Sequence, residues 1–109
     1  MHITIDALER YLGHRYGGWG KDESMFMKLV EEIGEVAEVL NKKAGRKAGD
    51  LENIREELGI ELADMLHYIL AIAALNDLDM ERIILEKDTK ASVKYHHDIN
   101  LTQFLEQSE

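Results

Sequence analysis

Apolar residues recur at helical spacing along almost the whole chain, and strands are needed nowhere to account for the pattern. A first helix is predicted over Ile5 to about Arg15, with Thr4 as its N-cap and Gly17-Gly18 as its stop. A loop with Trp19, Gly20, Lys21 and Asp22 follows. A second helix is predicted from an N-cap near Ser24 to about Lys43, with Leu29, Ile33, Val36 and Leu40 as its apolar stripe. The basic, glycine-flanked segment Gly45-Arg46-Lys47-Ala48-Gly49 leads to Asp50, which caps a third helix running to about Leu75. Asn76-Asp77 breaks that helix, and Asp79 caps a fourth from Met80 to about Tyr95. Residues 96–109 read as a peripheral tail with at most one short turn around Leu101 to Leu105. Long helices with short connections predict an all-α antiparallel bundle of four main helices, forming one domain over residues 1–109.

The third helix carries apolar residues around most of its circumference: Ile54, Leu58, Leu62, Met65, Leu66, Ile69, Leu70 and Ile72. Its polar strip is narrow and holds Glu57, Glu61, Asp64, His67 and Tyr68. A helix that is apolar nearly all round must be buried nearly all round. One short four-helix unit cannot bury it so fully, so a homodimer or a homotetramer is expected.

Composition narrows the function. Of the 109 residues, 45% are hydrophobic and 32% charged, which supports a packed core and argues against disorder. Cysteine is absent, so there is no disulfide framework and no thiolate metal site, as expected in a reducing cytoplasm. The start, Met1-His2-Ile3-Thr4-Ile5-Asp6, lacks the basic residues and apolar run of a signal peptide. The run from Leu62 to Leu75 is interrupted by Asp64 and His67 and is too short to span a bilayer. A net charge of −9 repels phosphates and excludes a groove-reading nucleic-acid binder. Any phosphorylated ligand would need metal ions to screen it.

Two acidic clusters stand out against this background: Glu31-Glu32-Ile33-Gly34-Glu35 on the second helix and Glu61-Leu62-Ala63-Asp64 on the third. Each places carboxylates at i and i+3, on one helix face. At about 100° per residue, Glu32 and Glu35 fall beside the apolar stripe, and Glu31 and Glu38 fall further out. Glu61 and Asp64 form the centre of the third helix's polar strip. Four carboxylates converging at a helix interface repel one another and lose hydration, and protonation or metal binding relieves both. An all-oxygen set with at most one histidine nearby favours Mg²⁺ or Mn²⁺ over Zn²⁺. The bland alternative is a pair of solvated glutamate faces neutralised by lysines.

The string Glu31-Glu32-x-x-Glu35 followed by Glu61-x-x-Asp64 resembles the signature of the MazG-like, all-α nucleoside triphosphate pyrophosphohydrolases. The surroundings are similar as well: Trp19 upstream, Lys28-Leu29-Val30 leading into the first cluster, and a long apolar run after the second. The resemblance covers roughly Trp19 to Lys94. It implies hydrolysis between the α- and β-phosphates, releasing a nucleoside monophosphate and pyrophosphate, as in the removal of unwanted nucleotides. It also implies Mg²⁺ held by Glu32, Glu35, Glu61 and Asp64, with Glu31 or Glu35 orienting the water. Neighbouring relatives acting on phosphoribosyl-ATP, dUTP or dCTP share the acidic helix pair, and a helical regulatory module without turnover is the rival outside the enzymes.

Phosphate-binding cations are sought among Lys28, Arg82, Lys87, Lys90 and Lys94; the last three share one helix face at i, i+3 and i+7. A solvated basic face near a helix C-terminus is the alternative. The family often shows an Asn and a Lys-Tyr-Pro-like ending here; this chain has Lys94-Tyr95 but His96 for the proline, and Asp88 or Ser92 for the Asn. Trp19 either stacks on a base or plugs one end of the bundle. His67, three residues past Asp64, makes half of a di-iron motif and reads best as a hydrogen-bonded core residue. Gly45 to Gly49 lacks the Gly-Lys-Ser/Thr ending of a phosphate loop.

Overall fold

Helix-stop chemistry divides the chain as the pattern predicts. The structure, a computed structural model, describes residues 1–108, and the side chain of Leu51 lies outside the description. Five helices and no strand occur among the described residues: α1 (Ile5–Tyr16), α2 (Asp22–Lys43), α3 (Leu51–Leu75), α4 (Met80–Lys94) and α5 (Leu101–Ser108). The side chains of Thr4, Asp50 and Asp79 accept hydrogen bonds from the amides of Ala7, Glu52 and Arg82, satisfying first-turn donors of α1, α3 and α4. α2 differs from expectation at its start. Its N-cap is Lys21, which makes no side-chain cap, and the helix begins two residues before Ser24. Asp22 and Glu23 in the first turn offset the missing cap through the helix dipole. The tail also differs: α5 is a full helix of eight residues, its first amide bonded to Asp88 of α4 at 2.6 Å.

α2 and α3 form the long hairpin at the centre, and α1 packs against α3. Leu12 and Tyr16 of α1, Met25 of α2 and Leu70 and Ala71 of α3 are the core, with Ile5, Leu8, Tyr68, Ile72, Leu75 and Met80 against it. Val39 and Ile54 are buried as well. Asn76, the C-cap of α3, reaches back to Asp22 at 3.1 Å and closes the hairpin's end. α4 lies against α1 and α5, and its first amide is held by Glu9 at 3.0 Å. The radius of gyration is 16.9 Å, against about 13 Å for a compact chain of this length.

The apolar stripe of α2 is not the one the spacing predicted. Two rows run along this helix. The inward row is Met25, Leu29, Glu32, Val36 and Val39. The outward row is Phe26, Val30, Ile33, Ala37 and Leu40, and all five are exposed. Ile33 and Leu40 therefore belong to a second apolar face, and Met25 and Val39 take the buried positions expected of them. Leu62, Leu66 and Ile69 of α3 are exposed too. The most apolar 18-residue window within Glu52–Leu75 has a mean hydropathy of 1.6, so α3 is by length and composition capable of crossing a bilayer, although the run Leu62 to Leu75 alone is too short. Carboxylates at Glu61 and Asp64, near its middle, are expensive in that setting.

Candidate metal centre

Glu32 sits in the inward row of α2, where the spacing calls for an apolar side chain. That register carries its carboxylate into the α2–α3 seam. Glu61 and Asp64 are one turn apart on the facing strip of α3. One oxygen from each of Glu32, Glu61 and Asp64 lies within 4.8 Å of the others, and all three residues are partly buried. Oε2 of Glu32 and Oε2 of Glu61 are buried without a hydrogen-bond partner among the described residues. Orphaned acceptors of this kind are uncommon in native interiors. The carboxylates of Glu32 and Glu35, with burial, push the Glu61 carboxyl from its ordinary 4.5 up to about 8. Oxygen-only donors, like-charged and converging, fit a hard divalent cation.

Glu35 adjoins Glu61 but is itself exposed, at the outer edge of the group. Glu31 is exposed and turned to Lys28, 3.5 Å away. Glu38 is exposed and paired with Lys47 of the α2–α3 loop, which lowers its carboxyl below the usual range. Lys28 stays near the site, since its charge is felt by Tyr68 together with those of Glu32 and Asp64. Lys87, Lys90 and Lys94 are exposed on α4, a helix that lies against α1 and α5. Within one chain they are not brought to the carboxylates. Arg82 is engaged by Glu86 at 3.3 Å and by Asp79.

The far side of the site is aromatic. The Tyr16 hydroxyl and Nε2 of His67 are 2.7 Å apart, and the ring of Tyr68 is 5.1 Å from that of His67. Burial first, and Arg15 second, hold the His67 imidazole below the usual histidine range, while Asp64 acts the other way. Trp19 is 66% exposed, so it does not plug the bundle. Its indole N–H donates to the Arg15 carbonyl at 2.9 Å, and its ring lies 5.3 Å from that of Tyr16. The turn that carries it needs glycine: Gly18 has φ +90°, and a Cβ on Gly20 would meet Tyr16 at 2.9 Å. Tyr16 and Arg15 were missed in the sequence. The signal there was slight, an aromatic at i+4 from Leu12 at the end of an amphipathic helix.

The fold and the site together define an all-helical protein whose central hairpin converges carboxylates suited to a divalent cation. The family model described as the MazG nucleotide pyrophosphohydrolase domain matches residues 21–97, and the chain belongs to that family. It is 27% identical over 74 residues to the uncharacterised protein YpjD of Bacillus subtilis (strain 168), covering 68% of this chain and 67% of the relative. No solved structure matches it. The family match begins at residue 21, so α1, with Arg15 and Tyr16, and the Trp19 turn lie outside it.

Proposed function

We propose that this protein is a Mg²⁺-dependent nucleotide pyrophosphohydrolase that cleaves nucleoside triphosphates to monophosphate and pyrophosphate, serving to clear unwanted nucleotides in the cytoplasm. Family membership supports the reaction class. The observation that carries the reading is the pair of buried, partnerless oxygens on Glu32 and Glu61, grouped with Asp64. Such a set is stable only when neutralised. Glu32, Glu61 and Asp64 hold the metal, with Glu35 joining them from the rim. Mg²⁺, or Mn²⁺ in its place, supplies charge screening for the polyphosphate and acidifies water at neutral pH. Glu35 orients the attacking water, because it is exposed beside Glu61 whereas Glu31 is taken up by Lys28. Trp19 offers a fixed, exposed ring to the base, and Lys28 a cation at the edge.

The working form is a homo-oligomer, at minimum a homodimer. The outward row of α2 is apolar and exposed, as are Leu62, Leu66 and Ile69 of α3. Its intervals of four and three residues are those of helix-on-helix packing. Gly59, in line with Leu62 and Leu66, has no heavy atom within 4 Å of where a Cβ would stand. An extended protomer with a second apolar face is what a bundle shared between two copies requires. The test is a pyrophosphate-release screen over canonical and modified nucleotides with Mg²⁺, Mn²⁺ or chelator. Release with metal from at least one nucleoside triphosphate, none with chelator, is the expected result. No release from any nucleotide would overturn the reading.

A further inference from the structure

The site as described holds many acids and few free cations, which raises the question of what receives the substrate's negative tail. Lys28 is paired with Glu31, and the α4 lysines are not brought to the carboxylates within one chain. Arg15 is different. It is exposed, and among the described residues no carboxylate lies within ion-pair distance of it. Its guanidinium stands 5.4 Å over the centre of the Tyr16 ring. Tyr16 is in turn fixed, buried against the core and bonded to His67, one turn along α3 from Asp64. Arg15 is close enough to bear on the charge of His67, and Asp64 acts on it with the opposite sign. A cation stacked on an immobilised ring has already lost much of its side-chain freedom, so less is lost when it binds. A guanidinium also matches phosphate oxygens two at a time, which an ammonium cannot.

Resting on the pyrophosphohydrolase reading, we propose that Arg15 is a protein cation that grips the polyphosphate of the substrate, and that the Tyr16–His67 hydrogen bond holds the ring on which it rests. The chemistry recognised is the β,γ-diphosphate, the part that leaves as pyrophosphate. This residue lies on α1 and precedes the matched family segment. Arg15 in the last turn of a helix is favourable to the dipole whatever it binds, and the experiment must separate the two roles.

Trp19 is the sole tryptophan and packs on Tyr16, so its fluorescence reports occupancy without turnover. Full-length wild type, Arg15→Ala, Arg15→Lys and Tyr16→Phe are titrated in Mg²⁺ with pyrophosphate, with an α,β-methylene nucleoside triphosphate and with a nucleoside monophosphate. Arg15→Ala weakens pyrophosphate and the triphosphate analogue by about tenfold or more, the usual worth of a charged hydrogen bond. Monophosphate binding and the thermal shift by Mg²⁺ alone are unchanged. Arg15→Lys recovers part of the loss, and Tyr16→Phe, which keeps the ring, loses less than Arg15→Ala. Equal affinity of wild type and Arg15→Ala for pyrophosphate overturns the assignment, as does an equal loss for the monophosphate. A wild type that binds neither pyrophosphate nor the analogue overturns the pyrophosphohydrolase reading together with it.

Discussion

Leu66→Ala tests the second apolar face directly, because much of the residue is still exposed in the isolated protomer. Full burial of a leucine is worth about 1.5–3 kcal/mol, and Leu66 is 43% exposed, so about 1 kcal/mol is left to gain at an interface. A two-fold interface counts the substitution twice, giving about 2 kcal/mol and a dimer about 30-fold weaker. Leu66→Glu goes further, since it places an unpaired charge at the seam and leaves the dimer dissociated at micromolar concentration. Sedimentation velocity over a dilution series reads the first change as a shifted midpoint and the second as a monomer. Circular dichroism is expected to stay helical in both, because the core residues Leu12, Leu70 and Ala71 are untouched. A wild type that is monomeric throughout, or a Leu66→Glu protein of unchanged mass, would refute the reasoning. It would then remain to explain why the outward row of α2 keeps its packing rhythm.

Glu61 gives the metal-free protein a pH dependence of known sign. Its carboxyl is raised to about 8 in the folded state from 4.5, so the folded form binds the extra proton between those values. That contribution is complete below about pH 4.5 and is lost as pH climbs to about 8; the melting temperature in chelator falls across this window. Glu61→Gln flattens that part of the profile, and an unchanged profile would mean that Glu61 is not held by its neighbours. Mg²⁺ needs the deprotonated form, so the stabilisation it confers grows through the same window. Asp64→Asn and Glu35→Gln are expected to cut pyrophosphate release beyond the about 100-fold typical of an outer-shell loss, with the melting temperature kept. Glu38→Gln, which touches only the Lys47 pair, is expected to leave turnover near wild type; a loss like that of Glu35→Gln would show that its outward position is misread. Leu12→Ala, at a fully buried position, is expected to cost about 2–5 kcal/mol in chemical denaturation, and a loss under about 1 kcal/mol would place the core elsewhere.

Most helix ends were legible because they are local chemistry. Thr4, Asp50 and Asp79 cap by side-chain acceptors that the sequence displays outright. The start of α2 was not legible, because Ser24 looks like a cap while the real one, Lys21, has no capping side chain. The extent of α5 was hidden because its apolar face, Leu101 to Leu105, is short and its first amide donates to the distant Asp88. The convergence of Glu32 with Glu61 and Asp64 could be anticipated from the helical wheel. The exposure of Glu35 was less clear, since a wheel ranks angle and says nothing of how closely the next helix approaches. The stripe predicted for α2 mixes the two rows for the same reason, with Leu29 and Val36 inward and Ile33 and Leu40 outward: spacing alone does not choose which row meets α3. The Tyr16–His67 contact joins residues 51 apart, and no local pattern points to it.

α3 sets two demands on its surroundings. Its composition would suit a bilayer, yet a polar strip runs through it. α1 and part of α2 cover one side, at Leu70 and Ala71, and the strip faces Glu32 of α2 and Tyr16 of α1. Leu62, Leu66 and Ile69 remain partly exposed. If solvent covered their exposed parts, that apolar area would stay wet. If lipid covered them, the carboxylates one helix face away would sit at a depth where charge is costly. In the proposed homo-oligomer a second copy would resolve both, drying the apolar side and leaving the acidic seam open at Glu35. The same drying lowers the local dielectric, which strengthens the hold of Glu32, Glu61 and Asp64 on a cation and the repulsion among them without one. In the proposed reading, assembly and metal binding would thus act on one pair of helices.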